Sequence, residues 1–368
     1  MGTPERKIIF TVINDLTYDQ RMYRICSALA AAGYKVQLIG RRLPDSLPVK
    51  PQPYEQTRLW CYFTKGKLFY IEYNLRLLFY LLFKRFDILS AVDLDTLVPC
   101  FINAKLKGKP IVYDAHEYFT EVPEVITRPA TKKVWEWVAN TFIPKLKYCY
   151  TVGPMLAEEF EKKYKVKFGV IMNAPLTKEF SNVERLENIL LYQGALNKAR
   201  GIEHYIDMME LLPGFELWLV GEGDLSHELR QRAKDKNVEN RVRFFGRVEP
   251  ENLHQITAKA YIGLNISENA GLSYFYSLNN KFFDHIHAQL PTVANKFPEY
   301  LRMNEVYNVM VFADANPQSV AAQVELLSQN KSLYYTLIQN CIHAKKELCW
   351  EIEQQKLVAF YNNVGERD

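Results

Sequence analysis

Short apolar runs separated by longer amphipathic stretches recur along almost the whole chain, and this alternation restricts the fold more than any other feature. Residues 7–13, KIIFTVI, and 36–39, VQLI, lack the every-second-residue polarity of a strand with one wet face, so they belong inside a parallel sheet covered on both sides. Between them, residues 18–32 carry Met22, Ile25 and Leu29 at helical spacing, and Thr17 with Gln20 fits a capping box. Parallel neighbours need a long crossover, and such a helix supplies it. The same reasoning gives strands at 59–63, 86–91, 110–113, 148–152 and 169–172, with helices at 68–84, 94–106 and 131–143. A polar stretch at 173–187 interrupts the pattern, which restarts with strands at 189–193, 216–220, 242–245, 260–264 and 292–294; helices fill 318–364. The predicted class is α/β, with two doubly wound domains at 1–173 and 174–345 and a C-terminal helix, 346–368, packing back on the first domain. At 368 residues, 48% of them apolar, the chain can build two such cores.

Charge and cysteine usage narrow the function. Forty-six Lys and Arg against 42 Asp and Glu give a net charge of +4, spread rather than massed, which argues against a nucleic-acid surface. Cys26, Cys61, Cys100, Cys149, Cys341 and Cys349 form no CxxC pair and no metal-ligand spacing with histidine, as in a reduced cytosolic chain. The start, MGTPERKIIFTVIN, passes straight into a strand without the apolar stretch of a secretion signal, so the expectation is a cytoplasmic protein. Residues 69–86, FYIEYNLRLLFYLLFKRF, are rich in leucine and aromatics and are flanked or ended by Lys65, Lys67, Lys84 and Arg85. Glu72, Asn74 and Arg76 keep this segment from spanning a bilayer. It reads either as a buried crossover helix or as a helix resting on the anionic inner face of the cytoplasmic membrane.

Two segments in the second half carry the chemistry of an anion site. YQGALNKARG at 192–201 and SLNNKFFDHIHAQLP at 277–291 each place a glycine- or asparagine-bearing loop at the mouth of a helix, with Lys198 and Arg200 in the first and Lys281 in the second. Helix N-terminal amides and fixed cations are what hold a diphosphate. His116, in DAHE, follows the apolar strand at 110–113 and so projects from its carboxyl end, where open α/β sheets bind ligands. Asp114 and Glu117 flank it. Asn14, Asp15, Asp19 and Arg21 follow the first strand in the same way, with helix capping as the alternative for Asp19. The acids of DLD at 93–95 read as helix caps rather than metal ligands. GEGD at 221–224 is too short for a dinucleotide fingerprint and instead lets a ligand approach the backbone.

Five segments in order, INDLTYDQRMYR at 13–24, VYDAHEYFTEVPE at 112–124, YQGALNKARGIE at 192–203, LVGEGDL at 219–225 and NKFFDHIHAQLP at 280–291, make nearly the full chain resemble a bacterial glycosyltransferase of two Rossmann-like domains facing across a cleft, the GT-B architecture, of the retaining family 4 type. The resemblance implies a nucleotide-diphosphate sugar bound by the C-terminal domain and a saccharide or lipid-linked saccharide acceptor bound by the N-terminal one, with a role in surface polysaccharide synthesis and no metal or other cofactor. It implies catalytic roles for His116, Glu268, Arg200 and Lys198. Donor contacts would come from Gly194, Gly221, Glu222, Arg247, Asn280, Lys281 and Asp284, and acceptor contacts from Asn14, Asp15, Asp19, Arg21, Asp114 and Glu117. The chain departs from the family in having Arg200 where a lysine commonly precedes the loop glycine, Ala195 after the first glycine, and Tyr276 at the usual distance before Asp284, so that Glu268 stands as the first acid of a loop lengthened by SYFYS. Those departures keep a second reading open, a nucleotide-sugar-binding protein of the same fold without transfer activity.

Overall fold

The structure, a computed structural model, describes residues 6–177 and 184–365. It consists of two units, Met1–Asn173 with Ile352–Asp368, and Ala174–Glu351. Each is built on one fully parallel sheet.

In unit 1, β1 (Lys7–Thr11), β2 (Lys35–Arg42), β3 (Glu55–Trp60), β4 (Ile88–Val92), β5 (Ile111–Ala115), β6 (Tyr148–Thr151) and β7 (Phe168–Val170) lie in the order β3-β2-β1-β4-β5-β6-β7. The chain winds one way from β1 to β3 and the other way from β4, so the loops after β1 and β4 part and leave a crevice at the sheet's carboxyl edge. In unit 2, β8 (Ile189–Gln193), β9 (Glu216–Val220), β10 (Val242–Gly246), β11 (Ile262–Asn265), β12 (Thr292–Ala294) and β13 (Met310–Phe312) take the order β10-β9-β8-β11-β12-β13, and the reversal lies between β8 and β11. Strands β1, β4 and β8 are buried nearly throughout, which is why their sequences show no alternation.

Several local expectations are corrected. The strand placed at 59–63 is β3, Glu55–Trp60; it pairs with β2 from Gln37↔Glu55 to Arg42↔Trp60. As an edge strand only half-covered by protein it uses a polar segment, fastened where the Gln37 amide donates to Glu55 and Thr57 at 2.9 Å each. Helix α1 (Gln20–Ala31) is capped by Asp19, which accepts from the Met22 N–H at 2.9 Å, while Thr17 is engaged with Asp15; there is no Thr17–Gln20 box. The acids of DLD do not cap either. Helix α3 (Leu97–Lys107) begins after Thr96, whose hydroxyl turns back to the carbonyls of Thr11 and Val92, and Asp93 and Asp95 point elsewhere. Strand β13 and the helices Pro154–Tyr164 and Pro298–Tyr307 were not anticipated.

Helix α2 (Gly66–Leu82) buries Phe69, Tyr73, Leu77 and Leu81, one residue per turn, and the Tyr73 hydroxyl donates to the Val12 carbonyl behind it. Its last carbonyls, from Leu81 and Leu82, and the Lys84 carbonyl just beyond it accept from Lys107 of α3. The opposite face is apolar too: Leu68, Ile71, Leu75, Phe79, Leu82 and Phe83 are exposed. Among the described residues no helix is long and apolar enough to cross a membrane. All six cysteines are buried free thiols. The helix Trp350–Asn362 closes unit 1, where Tyr361 meets the Ser90 hydroxyl at 3.0 Å and Glu353 accepts from the Met172 N–H at 2.7 Å.

Candidate functional site

At the carboxyl edge of the unit 2 sheet, backbone geometry comes first. Gly221, at the end of β9, has φ +143°, and a Cβ there would fall 1.9 Å from the Gly194 carbonyl oxygen. The loops after β8 and β9 therefore meet at a distance that only glycine allows. The first loop then passes through Ala199, left-handed at φ 62°, and Gly201, where a Cβ would stand 2.9 Å from the Ile266 carbonyl, before the helix Ile202–Met208. This tight path brings Arg200 over the Tyr274 ring, its guanidinium carbon 4.6 Å from the centroid, and leaves Lys198 exposed.

The second cation comes from the helix Asn280–His287. Its N-cap is Asn279, which accepts from the Phe282 N–H at 3.2 Å and trades amide bonds with Asn265 at 2.8 and 3.3 Å. In the first turn Lys281 folds inward, 7% exposed, with Nζ 4.6 Å from the centre of the Tyr192 ring and beside Gly194. Burial, reinforced by the Arg200 charge and only partly opposed by Asp284, pulls its pKa down to about 7. The Arg200 guanidinium and the Lys281 amine thus converge on one glycine loop, each against a tyrosine ring. Helix N-terminal amides at 280–282 add positive potential.

The remaining predicted residues of this half lie around that pair. Asp284 accepts from the Gln193 amide at 2.9 Å, and Gln193 in turn accepts from Thr257 at 2.7 Å. Glu268 donates its N–H to the Ala199 carbonyl at 3.0 Å, and its carboxylate lies 3.4 Å from His204 Nε2. Glu222 pairs with Arg230 at 3.4 Å and sits against Gly246, next to the exposed Arg247. Asn280 is exposed at the helix start. Gln193, Asn279, Tyr274 and His204 had not been singled out. Gln193 ends a strand inside the YQG motif and was visible in principle; His204 and Tyr274 needed the folded loops.

The unit 1 group is organised differently. Asp114, fully buried at the end of β5, accepts from Arg21 at 3.2 Å and from the Tyr150 hydroxyl at 2.9 Å, and it bonds His116 Nε2 at 3.0 Å. Arg21, 6% exposed, also donates to the Ile171 carbonyl. Burial opposes charge on Asp114, but His116 and Arg21 outweigh it and its pKa is lowered; His116, likewise penalised by burial, is held above its ordinary value mainly by Asp114. Asp93, at the end of β4 in a left-handed conformation with φ 56°, accepts the His116 N–H at 2.9 Å and faces its Nδ1 at 4.0 Å. Burial raises the Asp93 pKa to about 6 despite the histidine. The imidazole is therefore clamped between two carboxylates and only its edge, about one-fifth exposed, reaches solvent. Asn14, Asp15 and Asp19 form the turn before α1: Asn14 donates to Asp19 at 2.6 Å, and Asp15 accepts from Thr17 and Ser46. Glu117 is exposed beyond His116. Asp93 was missed as a partner of His116 because β4 and β5 are neighbours only in the sheet.

The family described as Glycosyltransferase Family 4 matches residues 20–174, and that described as Glycosyl transferases group 1 matches residues 187–330. No curated protein sequence matches the chain. Among solved structures, Anabaena HepE in complex with UDP-glucose superposes with TM-score 0.75 at 15% identity, covering 98% of this chain and 100% of that one. Sucrose-phosphate synthase from Thermosynechococcus elongatus gives 0.76 at 17%, with 97% and 98% covered. WaaG, a glycosyltransferase involved in lipopolysaccharide biosynthesis, gives 0.68 at 13%, with 96% and 99% covered. At such identities the structural likeness establishes the fold, two Rossmann-like parallel-sheet domains of GT-B type, and the two family matches establish the kind of enzyme.

Proposed function

Given that the chain belongs to the group 1, family 4-type glycosyltransferases, we propose that unit 2 binds a nucleotide-diphosphate sugar and that unit 1 binds the acceptor whose hydroxyl receives the sugar, with retention of anomeric configuration. The observation that carries the donor assignment is the convergence of Arg200 and Lys281 on the Gly194 loop, each against a tyrosine ring. Breaking the bond between the anomeric carbon and the diphosphate oxygen leaves a pair of electrons, and hence negative charge, on that oxygen. The Arg200 guanidinium and helix amides already in place, joined by Lys281 once it takes up a proton beside the bound anion, lower the barrier for that step. Lys198 adds charge from the loop rim. Gly194 and Gly221 admit the phosphates to the backbone, Asn280 and Asp284 meet phosphate and ribose hydroxyls, and Glu222 and Arg247 flank the base. Glu268 receives the hydroxyls of the transferred sugar. In a retaining transfer the acceptor hydroxyl attacks the face the leaving group vacates, and its proton goes to the departing phosphate oxygen, so no enzyme carboxylate need act as nucleophile.

On unit 1, His116 is the group we assign to the reaction, held by Asp114 and Asp93, while Asn14, Asp15, Asp19, Arg21 and Glu117 line the acceptor side. The test is titration of the protein with UDP-, GDP-, TDP- and ADP-sugars, beginning with UDP-glucose because HepE is found with it. One donor should bind, the binding should be lost in Arg200→Ala and Asp284→Ala, and chelator should not matter. Failure of every nucleotide sugar to bind defeats the assignment. Release of free nucleotide or glycosylated product separates the transferase from a protein that only binds.

The acceptor reading is sharpened by the outer face of α2. Its exposed apolar row adjoins exposed Ile102 and Leu106 on α3, and α3 packs in turn on the helix Pro129–Phe142 with exposed Val134 and Trp137. Residues 65–86, 97–107 and 129–142 hold nine Lys and Arg but only two acids, so the segments that carry this apolar face have an excess of positive charge. An anionic bilayer surface matches both properties, and it favours a lipid-linked saccharide acceptor for surface polysaccharide. Cosedimentation with phosphatidylglycerol vesicles should be strong, weak with phosphatidylcholine, and lost in Phe79→Asp/Phe83→Asp; equal recovery of wild type and variant would reject it.

A further inference from the structure

In unit 2 two opposite charges leave touching backbone and do not pair. The Glu268 N–H donates to the Ala199 carbonyl at 3.0 Å, so Glu268 and Arg200 start from adjoining points, yet among the described residues no ion pair joins them. The carboxylate lies instead 3.4 Å from His204 Nε2, on the helix Ile202–Met208. The guanidinium lies over the ring of Tyr274, on the short helix Leu272–Phe275. Ala199, just before Arg200, is held in a left-handed conformation that an alanine adopts only at some cost, so the surrounding contacts, and not local preference, set where Arg200 points.

The choice of partner has an electrostatic consequence. A carboxylate would hold the guanidinium equally well but would neutralise it, and an incoming anion would have to displace it. An aromatic face attracts the cation through its quadrupole, a modest interaction that leaves the formal charge uncompensated. We propose that Tyr274 and His204 are positioning residues that keep Arg200 and Glu268 apart, so that the guanidinium stays open to a phosphate and the carboxylate to a sugar hydroxyl. This rests on the nucleotide-diphosphate reading of the same site. The tyrosine belongs to SYFYS, the lengthened loop, which thereby gains a purpose: it carries the ring to the arginine.

The experiment is isothermal titration with UDP as the probe, each variant first checked by thermal denaturation. Arg200→Ala should weaken binding at least about tenfold, as loss of a charge-assisted contact does. Tyr274→Ala and Tyr274→Leu should weaken it about three- to fivefold, the worth of a cation–π contact, while Tyr274→Phe should bind as wild type. In the Arg200→Ala background, Tyr274→Ala should cost nothing further. His204→Ala should weaken UDP binding by releasing Glu268 onto Arg200, and adding Glu268→Gln should restore it. A leucine as good as phenylalanine, a tyrosine effect that persists without Arg200, or a His204→Ala protein that binds normally overturns the proposal while leaving the donor site standing. If Arg200→Ala itself binds UDP as wild type does, the diphosphate reading falls and takes the proposal with it.

Discussion

Two arginines near the carboxyl edges of the two sheets are treated in opposite ways. Arg21 is buried and neutralised, its guanidinium 3.2 Å from Asp114 and the whole group closed by His116 and Tyr150. Arg200 rests on a tyrosine ring, and its neighbour Lys281 on another. The first arrangement uses charge to fix side chains inside unit 1; the second leaves charge unspent in unit 2. With the nucleotide bound as proposed, the difference would separate groups that hold a site together from groups that hold a ligand.

The largest test of that contrast is Arg21→Ala. It leaves the buried Asp114 carboxylate with His116 and the Tyr150 hydroxyl but without its arginine, and about 3–5 kcal/mol of stability should go with it, read by urea unfolding. A loss below about 1 kcal/mol, typical of an exposed pair, would erase the distinction between the arginines. Arg200→Ala should do the reverse: stability within about 0.5 kcal/mol of wild type, with nucleotide binding weakened about 10- to 100-fold, or 1.5–3 kcal/mol.

Next comes Lys281, whose folded-state pKa of about 7 lies below its ordinary 10.5. Between those two values the unfolded chain binds a proton that the folded one lacks, so stability should rise with pH there, by at most about 1.4 kcal/mol per unit. Lys281→Met should abolish that rise and stabilise the free protein, yet weaken UDP binding. Wild-type binding should take up a proton near pH 8, measured by calorimetry in buffers of different ionisation enthalpy; no uptake would mean that Lys281 is charged in the free protein or untouched by the nucleotide.

The smallest effect should come from His116, and its sign is opposite. Its pKa is raised by Asp114, so its contribution is complete below the unfolded histidine pKa and disappears as pH rises through the folded one. His116→Gln should remove that fall in stability, which sets in as pH rises past the ordinary histidine value. A falling slope from unit 1 and a rising one from unit 2 would express the comparison in a single titration.

Much of this was legible beforehand. Both parallel sheets were written in the apolar runs, and the glycine loop and the basic residues Lys198, Arg200 and Lys281 were readable as features of the second half, because backbone freedom and charge are properties of residues in sequence. Capping was less so: Asp19, Thr17 and Asp93 are all plausible caps, and hydrogen-bond geometry chose among them. Pairings across the sheet were not legible at all. Asp93 joins His116 because β4 lies beside β5, and Tyr274 reaches Arg200 because two loops converge at the edge of β8 and β11.

What the sequence determined by itself was therefore the class of fold, the order of its strands along the chain and the supply of cations, since hydrophobic periodicity and glycine placement act locally. Only the tertiary structure decided which of those cations would be neutralised. A charge's partner depends on distances of a few ångströms between residues far apart in the chain, and the fall of Coulomb and cation–π energies with distance makes that placement decisive.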